Sequence, residues 1–158
     1  MTEPAILNWR RLSPALTSSG QPSEAQLGEI AALGISDVIN LGPHEHVKAL
    51  PDEAASVAAL GMRYSYIPVD FAAPSEDDYA AFVAAMGEVE AAGRTVHVHC
   101  IVNARVSAFL YRYRRDAIGE AAARKELESV WQPAGVWAAF IGDTPVEGAE
   151  HRYRGRDY

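Results

Sequence analysis

Three times in this chain an amphipathic run closes on a glycine and gives way at once to a short β-rich stretch. Leu27, Ile30 and Leu33 stand at helical spacing before Gly34 and the run 35–41. A segment opened by Pro51, Asp52 and Glu53 ends at Gly61, before 62–69. Tyr79, Phe82, Val83, Met86 and Val89 form a buried stripe that stops at Gly93, ahead of the stretch from Thr95. Glycine just past a helix end relieves the left-handed turn that closes it. Repeated helix-to-strand connections imply right-handed crossovers. The expectation is an α/β fold with a mostly parallel central sheet flanked by helices on both faces.

The rest of the chain fits around that frame. Residues 1–22 read as one opening strand through Trp9, Leu12 and Leu16, closed by the turn Ser18-Ser19-Gly20-Gln21-Pro22. Ser23 with Gln26 three residues on makes a capping box, and Ser75 with Asp78 repeats the signal. Tyr64 and Tyr66 fall on one face of their strand. After Gly119 the pattern is helical again, with Leu127, Val130 and Trp131 on one stripe; Pro133 opens a last short helix carrying Trp137, Phe140 and Ile141. Residues 1–142 form one domain in this reading, and 143–158, polar with few anchors, form a tail.

Charge and cysteine usage limit the function classes. A net charge of −7 argues against nucleic acid as a partner. Arg112, Arg114 and Arg115, like Arg152, Arg154 and Arg156, are expected on the solvated surface. No run approaches the ~20 apolar residues of a membrane span, and the opening Met1-Thr2-Glu3-Pro4 lacks the apolar core of a signal peptide. One cysteine excludes an internal disulfide and suits a reducing compartment, so the expected location is cytoplasmic.

That cysteine, Cys100, sits where the last strand turns into a helix. Thr95-Val96-His97-Val98-His99 is the strand; from Arg105 onward Val106, Phe109, Leu110, Tyr113 and Ala117 recur at helical spacing. A tight strand-to-helix loop aims several backbone N–H groups at one point, and the helix dipole adds to the field. Such a site binds anions and favours the thiolate of a cysteine at its mouth. Arg105 adds a planar fork that matches two phosphate oxygens. A lone cysteine is also commonly a small buried hydrophobe, and the arginine five residues later tips the balance towards chemistry. His99 is expected to order the loop by a hydrogen bond, and His97 to be core. His44 and His46 have no third ligand at useful spacing, which makes a weak metal signal, and the cysteine chemistry needs neither a metal nor an organic cofactor. Asp70 follows a strand whose carboxyl end opens on the same crevice; spacing alone leaves it either a turn former or an acid. Asp77 and Asp78 belong to a helix's first turn.

In these residues the chain resembles bacterial proteins of the protein tyrosine and dual-specificity phosphatase fold, in the branch related to the phosphatase-like domain of β-lactamase hydrolase-like proteins. The resemblance covers about 10–141 and rests on Ser19-Gly20-Gln21-Pro22-Ser23, Val38-Ile39-Asn40-Leu41, Ile67-Pro68-Val69-Asp70 and Val98-His99-Cys100 through Arg105-Val106-Ser107-Ala108-Phe109. It implies a cysteine-dependent phosphatase acting on phosphate monoesters through a phosphocysteine. Cys100 would be the nucleophile, Arg105 the phosphoryl ligand and Asp70 the general acid. Ile101, Val102, Asn103 and Ala104 would complete the phosphate-binding loop with Arg105, supported by His99 and Ser107. The implied partner is a phosphorylated substrate or an inorganic anion such as phosphate or sulfate.

The chain departs from the family pattern in three places. Four residues rather than five separate Cys100 from Arg105. The loop lacks glycine, with Asn103 best suited to positive φ. Val106 follows the arginine where a hydroxyl is usual, and Ser107 comes one residue late. Two alternatives follow from the short loop: a rhodanese-like sulfur carrier that holds a persulfide, or an anion-binding pseudophosphatase. Neither the substrate nor the oligomeric state is readable from the sequence.

Overall fold

The computed structural model describes residues 3–144. In chain order the elements are β1 (Arg10–Ser13), β2 (Leu16–Ser19), α1 (Glu24–Ala32), β3 (Asp37–Asn40), α2 (Glu53–Ala59), β4 (Arg63–Tyr66), α3 (Glu76–Ala91), β5 (Val96–His99), α4 (Ala104–Ile118), α5 (Glu120–Glu128) and α6 (Val136–Phe140). The five strands form one sheet in the order β1-β2-β5-β3-β4. Only β1 runs antiparallel, to β2; the pairs β2–β5, β5–β3 and β3–β4 are parallel. The mostly parallel α/β sheet is therefore present. The first 22 residues differ from the expected single strand, because β1 and β2 form a hairpin whose second strand lies beside β5.

Alternation in the strands divides the core in two. Leu16, Ile39, Val96 and Val98 join Phe82, Met86 and Val89 of α3, Phe109 of α4 and Leu127 of α5 in the larger cluster. Val38, with Leu27 and Ile30 of α1, Val57 of α2, and Met62, forms the smaller one. The register sets Thr17, His97, Val38 and Tyr64 in one row across this second face, and Ser19, His99, Asn40 and Tyr66 in the next. The two histidines of β5 thus sit beneath α1 and α2, at 0% exposure each.

Local chemistry explains the helix limits. Ser23 and Gln26 make the reciprocal capping box, and Ser75 accepts from the Asp78 amide. Gly34, Gly61 and Gly93 take φ of 87°, 78° and 67°, the left-handed values expected at those ends. Pro51 lies just outside α2, whose cap is Asp52, and Pro133 lies before α6, which starts after Gly135. Val83 faces solvent at 38% exposure, against its expected place in the α3 stripe.

The arginines on α4 also differ from expectation, being half-buried and engaged. Arg112 makes two bonds to Glu76 (2.7 and 2.8 Å) and stacks on Tyr79 and Phe140. Arg114 is bidentate to Glu126, and Arg115 reaches the Ile141 carbonyl. These side chains have apolar stems that pack while their heads find acceptors, so they pin α3, α5 and the α6 end to α4. Arg152, Arg154 and Arg156, and the tail beyond 144, lie outside the described residues. Among the described residues no helix is long and apolar enough to cross a membrane.

Candidate active site

The loop 100–103 leaves β5 in the middle of the sheet, and each of its carbonyls is held by a neighbour. His99 Nδ1 lies 3.0 Å from the Cys100 carbonyl oxygen. The Gln21 amide donates to the Ile101 carbonyl at 3.0 Å. Asn8 Nδ2 donates to the Val102 carbonyl at 2.8 Å. In a trans peptide the N–H points opposite to the C=O of the same plane. Three successive carbonyls fixed outward therefore turn the amides of Ile101, Val102 and Asn103 to the loop's inner side.

The turn into α4 completes this arrangement. Asn103 takes φ 74°, the left-handed conformation that a glycine would otherwise supply. Its side chain does not cap the helix; Nδ2 instead donates to the Asn8 carbonyl (2.8 Å) and Ser18 Oγ (3.1 Å). Ser23, Asp52 and Ser75 cap α1, α2 and α3 with side-chain oxygens, whereas no side chain occupies the first amides of α4. Those donors and the positive dipole end are directed into the loop.

The loop is pressed between two glycines. A Cβ on Gly20 would lie 2.5 Å from the Ile101 carbonyl oxygen, and one on Gly42 3.0 Å from Ile101 Cδ1 and 3.3 Å from the Cys100 carbonyl carbon. Cys100 is a free thiol at 0% exposure, and Asn103, Ala104 and Arg105 are buried to the same extent. Ile101 and Val102 are buried as well.

Arg105 turns inward. Its Nε donates to the Val69 carbonyl at 2.8 Å, and its guanidinium carbon stands 5.2 Å from the centre of the Phe71 ring. Trp137 Nε1 donates to the Phe71 carbonyl at 2.7 Å. Asp70 lies between these anchors, so the backbone on either side of it is tied down. Its carboxylate is exposed and accepts the Ala72 amide at 2.9 Å, the turn-forming role that competed with the acid role. Ser107 Oγ donates back to the Ala104 carbonyl at 3.0 Å, which spends its proton within the helix.

Beneath the loop lies a group that sequence reasoning missed. Glu53, in the first turn of α2, is 2% exposed and meets His99 Nε2 at 2.5 Å through Oε2. Gln21 Nε2 donates to Oε1 of the same carboxylate at 2.9 Å and to the Pro22 carbonyl at 2.9 Å. Burial raises the carboxyl's pKa, but the His99 charge, together with the bonds from His99 and Gln21, holds it below the ordinary value. The only hint was an acidic residue directly after the Asp52 cap, which reads equally well as helix-dipole chemistry.

The other histidines serve structure. Ser19 Oγ spends its proton on the Gly20 carbonyl (2.7 Å), so it accepts from His97 Nε2 at 2.8 Å, and Nδ1 accepts from Thr17 at 2.7 Å. Burial first, and then the nearby His99 charge, push the His97 pKa well below its usual value, so it is a neutral core histidine stacked on Trp9. His44 stacks on Tyr66 at 3.6 Å and meets Tyr64 Oη at 2.7 Å, while His46 Nδ1 accepts the Lys48 amide. Among the described residues no three His, Cys, Asp or Glu side chains converge as metal ligands.

Comparison with known proteins bears on the family and the fold. The phosphatase-like domain of β-lactamase hydrolase-like proteins matches residues 8–123. The β-lactamase hydrolase-like protein of Agrobacterium fabrum is 33% identical over 93 residues, which are 57% of this chain and 21% of that protein. The chain thus spans about a fifth of that relative's length. A crystal structure from Shewanella putrefaciens CN-32, described as a candidate phosphatase of type DUF442, is 36% identical over 87% of this chain and 90% of that one, with a TM-score of 0.76. P. aeruginosa TpbA, solved as a cysteine-to-serine variant with phosphotyrosine, shares the fold at 20% identity and a TM-score of 0.64, over 90% of this chain and 79% of that one. The chain belongs to the family of phosphatase-like domains found in β-lactamase hydrolase-like proteins.

Proposed function

We propose that the protein is a cysteine-dependent phosphatase that hydrolyses phosphate monoesters, working in the reducing cytoplasm where its single thiol stays reduced. The observation that carries this reading is the outward clamping of the Cys100, Ile101 and Val102 carbonyls at the uncapped start of α4. It turns the Ile101, Val102 and Asn103 amides to the inner side of the loop beside Cys100, with Arg105 in the first turn of α4.

In this reading a phosphoryl group settles among those amides and the Arg105 guanidinium, which neutralise its equatorial oxygens. The Cys100 thiolate forms a bond to phosphorus as the bond to the ester oxygen breaks. Asp70, released from its turn with Ala72, gives the leaving oxygen its proton. Its carboxylate then takes a proton from water, whose oxygen attacks phosphorus and returns Cys100 as thiolate and free phosphate.

Three observations favour a second reading, an anion-binding pseudophosphatase: the full burial of Cys100, the Asp70 carboxylate engaged by Ala72, and the Ser107 hydroxyl turned into the helix. Turnover of an aryl phosphate separates the two. The enzyme reading expects Cys100→Ser to abolish hydrolysis and Asp70→Asn to slow it chiefly for poor leaving groups. Wild-type protein that binds phosphate without any Cys100-dependent hydrolysis from about pH 5 to about pH 8 would leave the second reading standing.

A further inference from the structure

We propose that Glu53 is a positioning residue for Cys100, holding His99 as an imidazolium whose Nδ1–H is fixed on the Cys100 carbonyl. The inference rests on the phosphatase reading for its catalytic consequence, and on geometry alone for the protonation it assigns.

The hydrogen-bond inventory leads to it. A peptide carbonyl only accepts, so His99 Nδ1 must carry a proton to bond the Cys100 oxygen at 3.0 Å. An ionised carboxylate also only accepts, so Nε2 must carry one to meet Glu53 at 2.5 Å. Gln21 supports the ionised form, since it presents its amide nitrogen to Glu53 Oε1 while its own Oε1 is buried with no hydrogen-bond partner. Leaving that oxygen bare is unfavourable, and the orientation is explained by the donor that the carboxylate receives. Other titratable groups near the pair include His44, Tyr64 and His97, with Tyr66 in the same row of the sheet and the Cys100 thiol one residue on. His97 is already neutral and hydrogen-bonded at both nitrogens, so it supplies no counter-charge.

Helix capping does not explain Glu53. Asp52 accepts the Ala55 amide and caps α2 unaided, yet Glu53 turns inward to 1% side-chain exposure. A buried ion pair is often replaceable by apolar groups without loss of stability, so fold alone is a weak reason for one. Its effect on the loop is direct. The imidazolium sits one peptide from Cys100, draws on the carbonyl that orients the Ile101 amide, and adds positive field at the thiolate.

Histidine ¹⁵N spectra of the full-length chain, with turnover of an aryl phosphate, test this. In wild type near neutral pH both His99 nitrogens are expected in the protonated range. Glu53→Gln is expected to move one to the bare-nitrogen range and to lower kcat about tenfold at neutral pH with little change in KM. Glu53→Asp, which keeps the charge and loses the reach, should fall between, and Asp77→Asn, an exposed change of the same charge, should match wild type. A bare nitrogen on wild-type His99 overturns the proposal even if Glu53→Gln fails to fold. So does a Glu53→Gln protein with His99 still doubly protonated. If wild type hydrolyses nothing while the spectra behave as expected, the phosphatase reading fails and the assigned protonation stands.

Discussion

His97 shows how a single buried side chain sets the acid limit of the fold. Above about pH 6.5 it is neutral whether the chain is folded or not. Below that, the unfolded chain takes up a proton that the folded site, with its pKa held well down by burial, refuses. Stability therefore falls as pH drops, by about 1 kcal/mol between pH 6.5 and 5.5, and urea midpoints across that range should show it, with a shallower slope in His97→Gln. Glu53 adds a second loss at lower pH. Its lowered folded value means that its contribution is full above about 4.5 and is lost as pH falls through the folded value. Gly20 is a steric limit of another kind. Gly20→Ala would drive a methyl to 2.5 Å from backbone oxygen, and should cost about 2 kcal/mol or more in thermal or urea unfolding. Asn103→Ala should cost about 1–2 kcal/mol from positive φ alone, and Asn103→Gly less of that strain while still losing the bonds to Asn8 and Ser18.

Among the elements, α4 shows what periodicity can and cannot reveal. Its apolar stripe was plain in the sequence, but the places of Arg112, Arg114 and Arg115 were not, because their partners come from Glu76, Glu126 and Ile141, which are distant in sequence or on other helices. Arg112→Ala should lower Tm by about 2–4 °C for each kcal/mol lost, and by more than Glu76→Ala does. The Glu76 carboxylate is 73% exposed, so the ion pair itself is worth little, while Arg112 also covers Tyr79 and Phe140. Capping boxes and closing glycines were legible because they are local: Ser23 with Gln26, Gly34 and Gly93 stand where the spacing put them. The β1–β2 hairpin was not, since its turn at 14–15 carries no glycine and Pro14 lies between two short runs that read equally well as one. The cysteine loop was visible in Cys100 and Arg105 alone. The groups that shape it, Asn8, Gln21, Gly42 and Glu53, come from four other segments, and no spacing rule links them.

For the molecule as a whole, a ligand that enters the cradle should stabilise the entire fold, since the loop joins the central strand to the helix at its core. Phosphate or sulfate at a hundredfold excess over its dissociation constant is worth about 2.7 kcal/mol. Thermal melts should then rise by about 5–10 °C at this chain length, a shift kept in Cys100→Ser and largely lost in Arg105→Lys. The paired ends of the strands bear on how such a protein can be altered. Ser19, His99, Asn40 and Tyr66 stop side by side, level like the tops of fence posts. One residue inserted into β5 would reverse its inward and outward sides, exchange His99 for valine over α2, and lift the thiol clear of its neighbours. Beyond Gly42 in the span from β3 to α2, and beyond the Val69 and Phe71 anchors in the span from β4 to α3, the chain carries no such constraint. Lineages built on this frame can therefore change what they admit by lengthening those spans, and the posts must keep their height.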